Sequence, residues 1–280
     1  MVDLISLENI TIVITTFRSN NTIFNCLDSI PSKINKIIIE NSQDEKLKSI
    51  LEKKYENLKC FLMEKNLGYG KGNNFGIKKS ITDYVFILNP DTILSDNFLE
   101  KFIEKIKFEK FSIAAPLEEN DNNNYSFEKN GIADVEYVKG FAMFLNKLNM
   151  YNIFFDENFF LYLEEVDLCK NIRAHKGRII VVDVKIKHDG GNSHGNRDDF
   201  EMEKSRNWHW MWSKFYYTKK HNGYFFSFLN NLPIFFISLF KYLIYLTINN
   251  KKKQIYFMRL MGLLNSYLLK RSFYRPYIKK

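Results

Sequence analysis

Three short apolar, β-branched runs stand out along the chain: Ile10 to Thr15 (ITIVIT), Lys36 to Ile39 (KIII) and Tyr84 to Leu88 (YVFIL). Runs this short and this apolar suit strands buried on both faces of a parallel sheet. Between and after them apolar residues recur at helical spacing, as in Ile23, Leu27 and Ile30, then Leu47, Ile50 and Leu51, then Phe98, Phe102, Ile103 and Ile106. The alternation predicts an α/β fold with a doubly wound, mainly parallel, Rossmann-like sheet. Ligands of such sheets bind beyond the carboxyl ends of the strands.

The middle of the chain is less regular. Asn120 to Asn124 (NDNNN) reads as a surface loop, and Val135 to Leu145 as strand, glycine break, strand. Leu163 to Lys176 reads as a helix with acidic residues in its first turn and a stop at Gly177, and Arg178 to Lys187 as a strand. From Phe200 the pattern is helical, and Tyr224 to Ile248 is strongly apolar. Pro233 and Lys241 interrupt that stretch, leaving it short of the roughly 20 apolar residues of a clean membrane span, so it and Gln254 to Arg271 read as helices lying on a membrane surface. The expected division is a sheet domain over 1–223 and an amphipathic helical tail over 224–280.

Charge sharpens this picture. No acidic residue follows Glu203, whereas Lys204 to Lys280 carries fifteen Lys and Arg; the preceding residues hold 26 basic and 32 acidic groups, a balance of −6 within the overall +9. A basic tail suits an anionic membrane face. Nucleic acid would equally attract the charge but not require the long apolar stretches that interrupt it, so no nucleic-acid partner is expected. Cys26, Cys60 and Cys169 are three in number without CxxC spacing, which excludes a disulfide scaffold and a thiolate zinc site and suits a reducing cytoplasm. The first fifteen residues include Asp3 and Glu8 and lack a basic leader, so they read as the start of a fold rather than as a secretory signal.

Several segments carry candidate chemistry. Four glycines fall in Asn66 to Gly76 (NLGYGKGNNFG), between a strand and a helix, where the backbone can approach a phosphate or sugar closely; the P-loop and GxGxxG spacings are both absent. Asp91, in NPDT, stands at the carboxyl end of the Tyr84 to Leu88 strand, placed either to hold a hard cation or to cap the helix that follows. Glu164, Glu165 and Asp167 open a helix after the aromatic run FFLYL, a setting for a general base with a raised pKa or for ordinary first-turn acidity. His188 and His194 flank Gly190, Gly191 and Ser193 in a polar loop. Trp208, Trp210, Trp212, Tyr216 and Tyr217 form an aromatic group suited to a core or to bracketing a lipid-linked acceptor.

In order, ITIVITTF, IIIENSQD, NLGYGKGNNFG, FILNPDT, VKGFAMFL, FDENFFLYLEEVDLC and HDGGNS resemble the inverting family 2 glycosyltransferases, nearest the rhamnosyltransferase-like branch. The resemblance implies a GT-A fold, a nucleotide-sugar donor of the dTDP-L-rhamnose or UDP-hexose type, and Mg²⁺ or Mn²⁺. It implies that Thr15, Thr16 and Phe17 close over the nucleotide, that Glu40 with Ser42 faces its ribose and base, and that Asn66, Gly68, Gly72 and Asn73 line the donor site. Asn89 takes the first place of the family's DxD element and Asp91 its metal-ligating place, with His188 as the further metal ligand. Glu165 takes the place of the catalytic base, and Glu164 and Asp167 orient the helix and the acceptor. Glu40, Asn89 and Glu165 each depart from the commonest residue, which leaves an inactive scaffold as the competing reading. The expected acceptor is a glycan or a polyprenyl-diphosphate-linked glycan in bacterial surface polysaccharide assembly. The expected location is cytoplasmic, peripheral on the inner face of a bacterial inner membrane.

Overall fold

A computed structural model describes residues 5–190 and 199–276. The chain forms two compact units, Met1–Phe155 with Glu165–Arg197, and Asp156–Glu164 with Asp198–Lys280.

In the first unit β1 (Ile10–Thr16), β2 (Asn35–Glu40), β3 (Leu58–Leu62) and β4 (Tyr84–Leu88) pair in parallel in the order β3-β2-β1-β4, as their apolar runs predict. Both faces are covered. Ile10, Ile12, Ile14, Phe86 and Leu88 enter one core, while Val13, Val85 and Ile87 enter the other. Helices α1 (Ile23–Asp28), α2 (Glu45–Lys54), α3 (Tyr69–Lys79) and α4 (Phe98–Ile106) supply the connections.

Beyond β4 the sheet is mixed rather than parallel. A short β5 (Thr92–Ile93) follows β4, then β6 (Ile113–Glu118), β7 (Ile132–Asp134), β8 (Ala142–Asn146), α5 (Glu164–Ala174) and β9 (Ile179–His188). β8 inserts antiparallel between β4 and β6, β6 runs parallel to β9, and β5 and β7 pair antiparallel with β9. The register of β6 against β9 shifts between Pro116 and Leu117, where proline has no N–H for the ladder. That shift sets Glu118 opposite Ile186, close to the end of β9.

Two expectations need correction here. Val135 to Lys139 is not a strand: the strand before the glycine is β7, ending at Asp134, because Val135 to Lys139 makes the connection that leads into β8. The glycine-rich segment is not a loop throughout either, since α3 already starts at Tyr69. A Cβ on Gly72 would lie 2.7 Å from Thr15 Cγ2, and one on Gly76 2.3 Å from Val13 Cγ1. These glycines let α3 lie directly on β1. Only Gly68, at φ +83°, takes the left-handed backbone that glycine alone adopts freely.

The second unit consists of α6 (Phe200–Asn222), α7 (Tyr224–Ile248) and α8 (Asn250–Tyr267), packed on one another, with residues 156–164. The sequence-based division at 223/224 falls between α6 and α7, within this unit. Asp199 caps α6 by accepting from Glu201 and Met202 N–H groups. Trp208 and Trp212 are core residues, whereas Trp210 is 41% exposed. Pro233 does not end α7, a helix of 25 residues that runs through it. This helix buries Ser227, Asn231 and Ser238 and exposes Phe225, Phe236, Ile237, Phe240 and Leu243, the reverse of a soluble surface helix. By length and composition it is able to cross a membrane.

Candidate active site

The carboxyl ends of the strands in the first unit gather most of the residues singled out from sequence. At the end of β1, Thr15 Oγ1 donates to Asn73 Oδ1 at 2.8 Å, joining β1 to the second turn of α3. Asn73 is fully buried and its Nδ2 has no partner among the described residues. Asn66 turns the chain into α3, accepting from Gly68 N–H at 2.9 Å, and Asn41 accepts from Leu67 N–H at 3.2 Å. Thr16 is buried, with its hydroxyl on the Ile39 carbonyl, while Phe17 remains partly exposed.

Glu40 ends β2 at 0% exposure, and its carboxylate is occupied by its own loop. It accepts from Ser42 N–H at 2.8 Å and Asp44 N–H at 2.8 Å. Burial raises its pKa and prevails over these amides, which act in the opposite direction. Ser42 Oγ in turn accepts from Arg18 N–H at 2.6 Å. The structure therefore gives both residues a part in holding the β1 and β2 end loops.

Past β4, the Asn89 carbonyl accepts from Thr92 at its N–H and its hydroxyl, forming the turn that directs Asp91 inward. The Asp91 side chain is 0% exposed, and neither of its carboxylate oxygens has a hydrogen-bond partner among the described residues. Its neighbour is His188 at the end of β9, with Nε2 3.6 Å from Asp91 Oδ1. That nitrogen also lacks a hydrogen bond. The His188 ring stacks on Phe141 with centroids 4.2 Å apart, and its Nδ1 lies 3.0 Å from Glu118 Oε1. Burial works against an imidazolium here, but Asp91 and Glu118 together hold the His188 pKa above its ordinary value. Glu118 is tied to Lys139 at 2.7 Å. Lys139, with His188, outweighs the burial of Glu118 and lowers its pKa.

Of the three acidic residues opening α5, Glu164 and Asp167 are buried, and Asp167 accepts from Asn171 at 3.0 Å. Glu165 alone keeps an accessible surface. Gly140 lies beneath it, since a Cβ there would sit 3.6 Å from Glu165 Cβ and Cγ, and Tyr69 donates to the Gly140 carbonyl. The adjacent residues Gly140 and Phe141 thus bring Glu165 and His188 to one stretch of chain. Phe141 also accepts from Asn89 N–H at 2.8 Å, which adds the Asp91 turn to the same point.

Sequence reading missed Glu118, Phe141 and Tyr69. Glu118 carries the signal that marks Asp91, a carboxylate at the carboxyl end of an apolar strand. Gly191, Ser193 and His194 lie outside the described residues. Among the described residues no three His, Cys, Asp or Glu side chains gather as a metal cage. Cys26, Cys60 and Cys169 are free and buried, and burial pushes each thiol up to about 12.

The family model for glycosyl transferase family 2 matches residues 11–171, more than half of the chain. The chain belongs to glycosyl transferase family 2. A relative of this family 2 glycosyltransferase is the low-salt glycan biosynthesis hexosyltransferase Agl10 of Haloferax volcanii, 21% identical over 206 residues. That match covers 63% of this chain and 66% of the relative, so the chain spans just under two thirds of the relative's length. Among solved structures, S. aureus TarS 1–349 in complex with UDP-GlcNAc superposes with a TM-score of 0.54 at 13% identity, covering 95% of this chain and 93% of that one. The mannosyltransferase PcManGT of Pyrobaculum calidifontis, in complex with GDP-Man and Mn²⁺, superposes with a TM-score of 0.56 at 10% identity, covering 92% and 86%. At these identities the likeness speaks for the GT-A fold.

Proposed function

We propose that this family 2 glycosyltransferase moves a hexose from a nucleoside-diphosphate sugar to a hydroxyl of a glycan or lipid-linked glycan, with inversion and with a divalent cation. The observation that carries the proposal is the Asp91 carboxylate, wholly buried and without a hydrogen bond, whose one charged contact among the described residues is His188 Nε2 at 3.6 Å, itself without a hydrogen bond. A buried carboxylate in that state is costly unless a cation meets it. Asp91 and His188 Nε2 would hold a Mg²⁺ or Mn²⁺ ion, for which two protein ligands suffice where a bound diphosphate and water supply the rest. When bound, the ion offsets the charge that grows on the departing nucleoside diphosphate.

The chain's own residues supply the remainder. Thr15, Gly68, Gly72, Asn73 and the Asn66 turn form the donor side, held together by the close approach of α3 to β1. Glu118 fixes the His188 ring through Nδ1, directing Nε2 towards Asp91. Glu165, the accessible carboxylate of its cluster, takes the proton from the acceptor hydroxyl as that oxygen attacks the anomeric carbon. Glu164 and Asp167 hold the first turn of α5. The branch resemblance favours dTDP-L-rhamnose or a UDP-hexose as donor. The exposed apolar side of α7 and the basic residues after Glu203 support attachment to a membrane surface, where a polyprenyl-diphosphate-linked acceptor would be presented.

The test is a panel of nucleotide sugars with Mg²⁺ or Mn²⁺ and the native chain, followed by Glu165→Gln. One donor should bind with metal dependence, and Glu165→Gln should bind it equally but transfer roughly 10³-fold more slowly. Unchanged transfer in Glu165→Gln would remove that residue from the proton step, and a chain binding no nucleotide would return the scaffold reading.

A further inference from the structure

Tyr69 is the first residue of α3, directly after the Gly68 turn, and its ring and its hydroxyl serve different neighbours. The ring meets Phe155 edge-on, with centroids 6.0 Å apart and planes at 82°. Phe155 is itself fixed to α3, since Asn74 donates from Nδ2 to its carbonyl at 2.9 Å and accepts at Oδ1 from its N–H at 3.0 Å. Phenylalanine at position 69 would satisfy that packing. The hydroxyl instead donates to the Gly140 carbonyl. A Cβ at Gly140 would lie 3.6 Å from Tyr69 Cε1 and 3.6 Å from both Cβ and Cγ of Glu165, so the tyrosine ring and the aliphatic stem of Glu165 both lie against the bare Gly140 backbone. The chain neighbours of Gly140 are held separately, Lys139 by Glu118 at 2.7 Å and Phe141 by the Asn89 N–H on its carbonyl and by the His188 ring. Gly140 has no side chain with which to fix itself, and the Tyr69 hydroxyl supplies a hold on its peptide.

We propose that Tyr69 is a positioning residue that sets Glu165 against the donor side of the site, through the hydrogen bond from its hydroxyl to the Gly140 carbonyl. This role rests on the proposed function, because it takes Glu165 as the base; the hold on Gly140 does not. A base must meet the acceptor oxygen while that oxygen lines up with the anomeric carbon, and a misplacement of about 1 Å can cost roughly 10²-fold in rate. Tyr69 ties the backbone under Glu165 to the same helix that carries Gly72 and Asn73. Because Lys139 and Phe141 have contacts of their own, the pair of Asp91 and His188 does not depend on that hydroxyl.

The experiment compares the full chain with Tyr69→Phe, Glu165→Gln and the double variant, with Mn²⁺, an octyl glucoside acceptor, and UDP-GlcNAc, GDP-mannose and dTDP-L-rhamnose as donors, following release of the nucleoside diphosphate. Tyr69→Phe should lower kcat by about tenfold and leave donor KM and Mn²⁺ affinity within about twofold of the native chain. In the Glu165→Gln background the same change should have no further effect, because a residue that acts by placing the base loses its influence once the base is gone. A residue that only holds the fold would cost the same factor in both backgrounds. Equal kcat in the native chain and Tyr69→Phe, or an equal loss in both backgrounds, overturns the proposal. Amide hydrogen exchange over residues 138–142 tests the hold on Gly140 without any substrate: exchange about tenfold faster in Tyr69→Phe supports it, and unchanged exchange overturns it. Faster exchange beside a native chain that turns over no donor would uphold that hold and tell against the transferase reading.

Discussion

Glu40 and Asp91 stand at the carboxyl ends of the two strands that flank β1, both buried, and they differ in one respect. The Glu40 carboxylate accepts from two backbone amides of its own loop, whereas the Asp91 carboxylate accepts none and, among the described residues, faces only His188 Nε2, an ion-pair contact at 3.6 Å without a hydrogen bond. A carboxylate whose acceptors are filled locally holds a loop together. One buried with its acceptors empty costs stability unless a ligand completes it. Position at a strand end does not distinguish the two, and hydrogen bonding does.

The largest effect expected from this difference is at the pair itself. His188→Gln should lower metal-dependent transfer by about 10²–10³-fold in steady-state kinetics, since it removes a nitrogen ligand. Glu118→Gln should weaken Mn²⁺ binding by about tenfold, measured by titration calorimetry, because it loosens the ring that carries Nε2. Glu40→Ala should lower folding stability by about 2 kcal/mol or more in denaturant titration, with Mn²⁺ affinity retained, because two amides lose their acceptor. A drop in metal affinity without a stability loss in that variant would reverse the assignment of the two carboxylates.

His209 sharpens the same distinction in the helical unit, because both of its ring nitrogens are satisfied: Nε2 lies 2.9 Å from the Tyr274 carbonyl and Nδ1 3.1 Å from the Ser272 hydroxyl. Burial, aided by Arg275, lowers its pKa from 6.5 to about 3 and keeps the ring neutral when folded. Between those values the unfolded chain takes up a proton that the folded chain does not. Its contribution to stability is therefore present above pH 6.5 and is lost as pH falls towards 3, by about 1.4 kcal/mol per pH unit. The stability difference between the native chain and His209→Gln should show that slope.

The legible parts of the molecule are those fixed by local pattern. β1, β2 and β4 are apolar on both faces and were readable as buried strands, and Asp91 was readable because it follows one of them. The α3 start was hidden because glycine ordinarily weakens a helix, and only the contacts with Thr15 and Val13 show why it is needed there. Glu118 was hidden because its approach to His188 depends on the register shift at Pro116/Leu117 and on β6 pairing with β9, both long-range features. Pro233 reads as a breaker, yet α7 spans it, because packing on α6 and α8 sustains the helix where local preference does not.

The most direct measurement is thermal unfolding of Asp91→Asn beside the native chain, each without ligand and with Mn²⁺ plus UDP, GDP or dTDP. Asn keeps the shape of the side chain but removes the charge that faces His188, so the rise in midpoint that metal and nucleotide produce in the native chain should disappear. A metal and nucleotide shift retained in Asp91→Asn would contradict the assignment of Asp91 as the cation ligand.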